Sequence, residues 1–292
     1  MDMFDKASIK ERVGGTIQKS ATLDHLRQVE KYFLSVLPKY KIKASYDVIA
    51  NEVPYFNTMN YTEWAHSFIM HPLQQNARVK QMSDAYADAA PIKNDYIAYF
   101  KDRLLRGQTN KYTHIKPDST PTKPNLVVLV GSNKLKERIC LNKLKWVKKL
   151  HGDDVYFKPH PLTSHQLIGE LKDLFGAATI LEREADMYRF LIDANIVYTS
   201  HMSESAMYAV SLGKQIEPID VFNKVEQGSF YHINKYLFTE DNPAEWANQA
   251  FNSPKSGVIN PEVDEDWQLK IREYLEYIAS ERDKFKNKYI SK

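Results

Sequence analysis

Three short stretches of this 292-residue chain combine residue types that can hold a phosphate group. In the first, Lys158, Pro159, His160 and Pro161 follow one another. Two prolines restrict the backbone on either side of the histidine and hold its imidazole in one place. A histidine so held can donate a hydrogen bond to a phosphate oxygen and, when protonated, stabilise charge on a departing group. In the second, Thr199, Ser200, His201, Met202, Ser203, Glu204, Ser205 and Ala206 run into a predicted helix. Hydroxyls at a helix start pair with its exposed amides and form a cup for anions, and Glu204 could accept from both hydroxyls of a ribose. The same residues also serve as ordinary helix caps. The third is Gly131, Ser132, Asn133 and Lys134: glycine for close backbone approach, polar side chains for hydrogen bonds, lysine for charge.

These stretches matter because of the elements that must carry them. Residues 126–130 form a continuous Leu and Val run, the pattern of a strand buried on both faces of a parallel sheet. Further strands are predicted at 155–158, 178–181, 196–200 and 215–219, with helices at 134–150, 164–175, 186–194 and 203–212. Gly176 and Gly213 stop two of those helices. In the 134–150 helix, Ile139, Leu144, Val147 and Leu150 make the apolar side, and Lys134, Lys136, Arg138, Lys143, Lys145, Lys148 and Lys149 the basic one. That basic side either faces phosphates or is simply solvated. Strands alternating with helices at this spacing imply a doubly wound parallel sheet, whose ligands sit at the carboxyl ends of the strands. All three candidate stretches fall at such ends.

Upstream the pattern is less regular. Helices are expected at 23–37, 62–70 and 96–105 and a strand at 46–50, giving a smaller α/β lobe. Pro117, Pro121 and Pro124 interleave with Ser and Thr and mark a connector. Residues 261–289 read as one long charged helix with Trp267, Ile271, Tyr274, Leu275 and Ile278 as its stripe. The expected organisation is an acceptor-side lobe over 1–120, a nucleotide-binding lobe over 121–260, and a 261–292 helix packing back on the first.

Composition excludes several classes. Hydrophobic residues at 43% and charged residues at 26%, with 18 Tyr and 13 Phe, are a globular profile. A lone cysteine, Cys140, makes neither an internal disulfide nor a cysteine zinc site, and is expected to be a buried small hydrophobe. No run reaches the roughly 18 to 20 apolar residues of a spanning helix, and the first 20 residues hold no apolar signal core. The expected setting is cytoplasmic, without stable membrane insertion. A net charge of +3 is too mild to establish a polyanionic partner.

The order of Lys-Pro-His-Pro after a strand, a Ser-rich turn, Glu-Ser-Ala and a helix ending in Gly-Lys resembles bacterial GT-B glycosyltransferases over residues 125–221. It is most similar to the capsule-polysaccharide and sialyltransferase-like branches. The resemblance implies two Rossmann-like lobes and a metal-independent transfer from a UDP- or CMP-linked sugar, with no cofactor besides that co-substrate. It maps donor-phosphate contacts to His160, Ser200 and Ser203; Gly131, Ser132, Lys134, Lys158, Glu204 and Ser205 join them as donor-site candidates from their own chemistry at the strand ends. A 120-residue first lobe is short for that plan, and no Asp-Gly or Glu-Gly acceptor motif names a base. Glu52 is the first candidate, with Asp47, Glu63, His66 and His71 as alternatives. The acceptor is either a surface polysaccharide or, for a phage enzyme in the host cytoplasm, a hydroxymethylated base in DNA. A nucleotide-sugar epimerase and a non-catalytic nucleotide- or nucleic-acid-binding protein are the rival classes. Sugar, nucleotide, stereochemistry and oligomeric state stay open.

Overall fold

The computed structural model describes residues 24–46, 56–61, 66–71, 77–107, 119–130, 140–161, 163–220 and 230–289. The described residues divide into two compact units, the first made of 24–99 and 245–289 and the second of 100–244. The C-terminal return to the first unit therefore starts at Glu245 rather than at the expected 261.

The second unit carries the three stretches. Its strands are β4 (Asn125–Val128), β5 (Val155–Lys158), β6 (Ile196–Thr199) and β7 (Gln215–Pro218), all parallel, in spatial order β5-β4-β6-β7. Beyond β5 the expected strand at 178–181 is reduced to one parallel bridge, Phe157 to Ile180, with Leu181 N–H donating to the Phe157 carbonyl at 3.0 Å. Pro218 is tolerated because β7 lies at a sheet edge.

Helices α4 (Leu141–His151) and α5 (His165–Phe175) cover one face. Leu144 and Val147 from α4, and Leu167, Ile168, Leu171 and Phe175 from α5, pack there against Val127, Val155, Phe157 and Tyr198. Strand periodicity turns Tyr156 to the other face, where it meets Phe190 of α6 (Met187–Asp193) edge to face at 5.6 Å. Local signals explain the helix bounds. Ser164 caps α5 by accepting from Leu167 N–H at 3.3 Å, and Asp186 caps α6 by accepting from Tyr188 N–H at 3.0 Å. Gly176 ends α5 at φ +89°, a conformation open to glycine at little strain. The last helices of this unit are α7 (Ser205–Ser211) and α8 (Tyr231–Leu237), and α9 (Pro243–Asn252) begins at its boundary.

Two details of α4 depart from expectation: Leu150 is 55% exposed rather than on the apolar side, and Cys140 is half-buried. With 144 and 147 facing the core, the helical period swings position 150 outward.

Among its described residues the first unit holds a mixed sheet. Its strands are β1 (Lys43–Tyr46), β2 (Phe56–Tyr61), β3 (His66–His71) and β8 (Val258–Ile259), in that spatial order. Among the described strands, β1 and β2 pair parallel, and β2 with β3 and β3 with β8 antiparallel. The helix expected over 62–70 is thus replaced, from His66 on, by a strand paired antiparallel to β2. Ser67, Phe68, Ile69 and Met70 favour no helix strongly, and a strand on each side decides their state.

Helices α1 (Asp24–Val36) and α10 (Trp267–Tyr289) form this unit's core, joined in the unit by α2 (Ala77–Ala87) and α3 (Tyr96–Leu105), which crosses its boundary. Val29, Phe33 and Val36 of α1 meet Ile271, Tyr274, Leu275 and Ile278 of α10, with Ile259 beside them. Both stripes follow helical spacing; that of α10 is the one expected, although the helix opens at Trp267 rather than at 261. Beneath α10, the Tyr96 hydroxyl donates to Asp264, and the Lys270 ammonium donates to Tyr96 Oη at 2.6 Å, Asp264 Oδ1 at 3.0 Å and the Phe251 carbonyl at 2.7 Å.

Candidate functional site

The order β5-β4-β6-β7 creates a switch point. The chain leaves β4 toward β5 and leaves β6 toward β7, so the connections after β4 and β6 depart in opposite directions. A crevice at the carboxyl ends of those two strands follows from that topology. The loop after β5 lies on the same edge, one strand further out. At the usual strand spacing the loops after β5 and β6 are about 10 Å apart, a span that a nucleotide diphosphate can bridge.

The turn after β6 is the most heavily built feature there. Ser203 N–H donates to the Ser200 carbonyl at 3.0 Å, and Met202 N–H to Ser200 Oγ at 3.0 Å, closing a tight turn. A hydroxyl chain runs beneath it: Thr199 Oγ1 to Ser205 Oγ at 2.6 Å, then Ser205 Oγ to Ser203 Oγ at 2.8 Å. Ser205 N–H also donates to Ser203 Oγ at 3.2 Å. Thr199, Ser200 and Ser205 are fully or almost fully buried, whereas Met202, Ser203 and Glu204 are half-exposed.

Two residues without a sequence signal hold this turn from outside. Asp220, just past β7, accepts from the Ser200 hydroxyl through Oδ2, and from His201 Nδ1 at 2.6 Å and His201 N–H at 3.3 Å through Oδ1. A carboxylate only accepts, so Nδ1 carries the His201 proton. Asn234, on α8, donates both amide hydrogens, to the His201 carbonyl at 2.8 Å and the Ser203 carbonyl at 2.7 Å. The His201 ring rests against Phe238 at 4.6 Å.

Ser, His and Asp together suggest a hydrolytic triad, but the connectivity rules that relay out. Hydroxyl and imidazole both run directly to the carboxylate, and the histidine is not interposed to take the serine proton. Ser200 is also fully buried. The cluster is a rigid frame whose outer surface is Met202, Ser203 and Glu204.

On the loop after β5, the two functional candidates separate. His160 is half-buried on a turn closed by Thr163 N–H to its carbonyl at 2.9 Å. Lys158 is 2% exposed, and its ammonium donates to the carbonyls of Pro159 at 2.7 Å and Arg183 at 2.9 Å. Burial pushes it down to about 7, against the opposing pull of Glu184 and Asp186. Lys158 therefore staples the loop after β5 to the segment around Arg183, which itself donates to the Thr163 carbonyl at 3.1 Å.

Gly131, Ser132 and Lys134 lie outside the described residues, as do Asp47, Glu52 and Glu63 on the acceptor side. His66 opens β3 and His71 closes it, so their backbones stand about 17 Å apart along the strand. Among the described residues, no group of three or more His, Cys, Asp or Glu side chains is arranged to hold a metal ion.

No family model matches the sequence, and no curated protein matches it. Among solved structures, the wall teichoic acid polymerase TagF, soaked with CDPG, matches over 76% of this chain at 15% identity with a TM-score of 0.28. This chain covers 53% of that one, about half its length. The α/β class assigned here stands on this chain's own strand order and helix packing.

Proposed function

We propose that the protein is a glycosyltransferase that moves a sugar from a nucleotide-sugar to an acceptor hydroxyl, on the GT-B plan. The observation that carries this reading is a parallel β5-β4-β6-β7 sheet with the His160 loop and the Ser203 turn at one edge, beside its switch point. His160, Ser203 and Glu204 are polar side chains there that solvent reaches in part. In this reading His160 and the Ser203 hydroxyl take the donor phosphates, and Glu204 accepts from the ribose. Gly131, Ser132 and Lys134 are the further donor contacts proposed in this reading. Ser200 and Ser205 act as frame, and Lys158 as a staple between loops.

During transfer the bond from the sugar's anomeric carbon to the phosphate oxygen breaks, and its electron pair leaves on the nucleotide. Hydrogen bonds from His160 and the turn stabilise that charge as it grows. If configuration inverts, Glu52 is the base proposed to take the acceptor proton. The acceptor is a polysaccharide or a hydroxymethylated DNA base.

A thermal-shift panel of UDP, CMP, CDP and GDP, with their sugars, tests the donor site. One nucleotide at 100 times its dissociation constant should add about 2.7 kcal/mol to stability, and His160→Ala should abolish the gain. Release of that nucleotide from its sugar only when a glycan or hydroxymethylated DNA is added then identifies the acceptor. Release without acceptor would favour an epimerase or hydrolase, and binding without turnover a sensor.

A further inference from the structure

The inner stripe of α4 is complete without its outermost apolar residues. Leu144 and Val147 are buried in the core, and His151 Nε2 meets the Tyr198 hydroxyl at 2.7 Å. The outward rows, taken every fourth residue, read Leu141, Lys145, Lys149 and Asn142, Trp146, Leu150. Leu141 is 43%, Trp146 48% and Leu150 55% exposed. They are three of the eight exposed large apolar side chains among the described residues, gathered on one 11-residue helix. That helix has four lysines and no acidic residue. Lys148 is held by Asp153 at 2.9 Å, and Lys143 stands 4.3 Å above the Trp146 ring and 3.6 Å from Glu217. Lys145 and Lys149 are exposed between the apolar residues.

From this face we infer that α4 docks the protein on an anionic lipid surface. Trp146 and Leu150, one turn apart on the same row, enter the boundary between headgroups and acyl chains, while Lys145 and Lys149 on the neighbouring row pair with lipid phosphates. Indole rings settle at headgroup depth, and lysine stems lie along apolar surface with the ammonium kept in water. A polynucleotide would use the lysines and give Trp146 and Leu150 nothing. A dry protein interface would have to bury lysines among its apolar anchors, where lysine is depleted. A helix about 16 Å long gives reversible attachment rather than insertion. Among the described residues, no helix is long and apolar enough to cross a membrane. The inference rests on the helix face alone and is independent of the proposed reaction.

The test is flotation of the full chain with vesicles of phosphatidylcholine, or of equimolar phosphatidylcholine and phosphatidylglycerol. Binding is expected to the anionic vesicles alone. Lys145→Glu with Lys149→Glu should weaken it about 20-fold or more, from roughly fivefold per lysine. Trp146→Ser should weaken it as well. All three side chains are exposed, so each variant should keep the wild-type melting profile. Brominated lipid should quench the bound wild type more than Trp146→Phe, a reading that needs only a conservative change. No binding, equal binding to both vesicles, or binding unaffected by the charge reversals overturns the inference. So does lysine-dependent binding of double-stranded DNA with no vesicle binding.

Discussion

Removing the Asp220 carboxylate should collapse the turn after β6 before it disturbs the sheet. Its side chain is fully buried and accepts three hydrogen bonds, from the Ser200 hydroxyl, His201 Nδ1 and His201 N–H. Hydrogen bonds to a charged acceptor contribute about 1.5–3 kcal/mol each, but members of one network do not add. Asp220→Ala leaves three buried donors without their acceptor, and a loss of about 3–5 kcal/mol is expected. Asp220→Asn keeps the Oδ1 acceptor for both His201 donors. Its new amide can donate to Ser200 Oγ, which already accepts from Met202 N–H, so only the serine proton loses its partner. That variant should lose about 1–2 kcal/mol. Urea unfolding measures both, with Ser200→Ala and the Asp220→Ala, Ser200→Ala pair completing a cycle. A double variant about as stable as Asp220→Ala alone would show that the two groups act as one unit. Additive losses, or an Asp220→Ala variant within about 0.5 kcal/mol of wild type, would refute the frame described here. In the nucleotide panel, Asp220→Ala should also lose ligand stabilisation, because Ser203 and Glu204 sit on the turn it holds.

Lys158 predicts a pH signature. Its folded value of about 7 lies below its ordinary 10.5, so between those limits the unfolded chain holds a proton that the folded one lacks. Stability from this group therefore rises with pH across that window, by on the order of 5 kcal/mol. Lys158→Met should lack that rise, so wild type minus variant should climb with pH, and parallel profiles from pH 7 to 10 would contradict the burial. In the first unit, Asp264→Ala leaves the buried Lys270 ammonium without its counter-ion and should cost about 3–5 kcal/mol by denaturant unfolding. Lys270→Met, which removes the buried charge itself, should cost less. The reverse order would mean that Asp264 matters through Tyr96 and Asn260 N–H rather than through Lys270.

The second unit was legible because its information is local. Buried parallel strands read as runs such as Leu126, Val127 and Val128, and Ser164, Asp186, Gly176 and Gly213 punctuate the helices between them. Those signals give the order of elements, and a preference for right-handed crossovers then limits how they assemble. The α10 stripe was legible for the same reason, since its period survives in sequence.

Tertiary structure decided what periodicity cannot encode. The 66–71 segment is a strand because β2 and β8 flank it, a choice made by pairing rather than by propensity. Asp220 and Asn234 hold a turn through partners 19 or more residues away in sequence, where no spacing rule connects them. Lys158 looked like a ligand-binding charge beside His160, yet burial among carbonyls turned it inward. Residue types named the chemistry this chain has available. Only the folded chain decided which side chains solvent reaches and which hold the frame, because accessibility is set by neighbours far away in sequence.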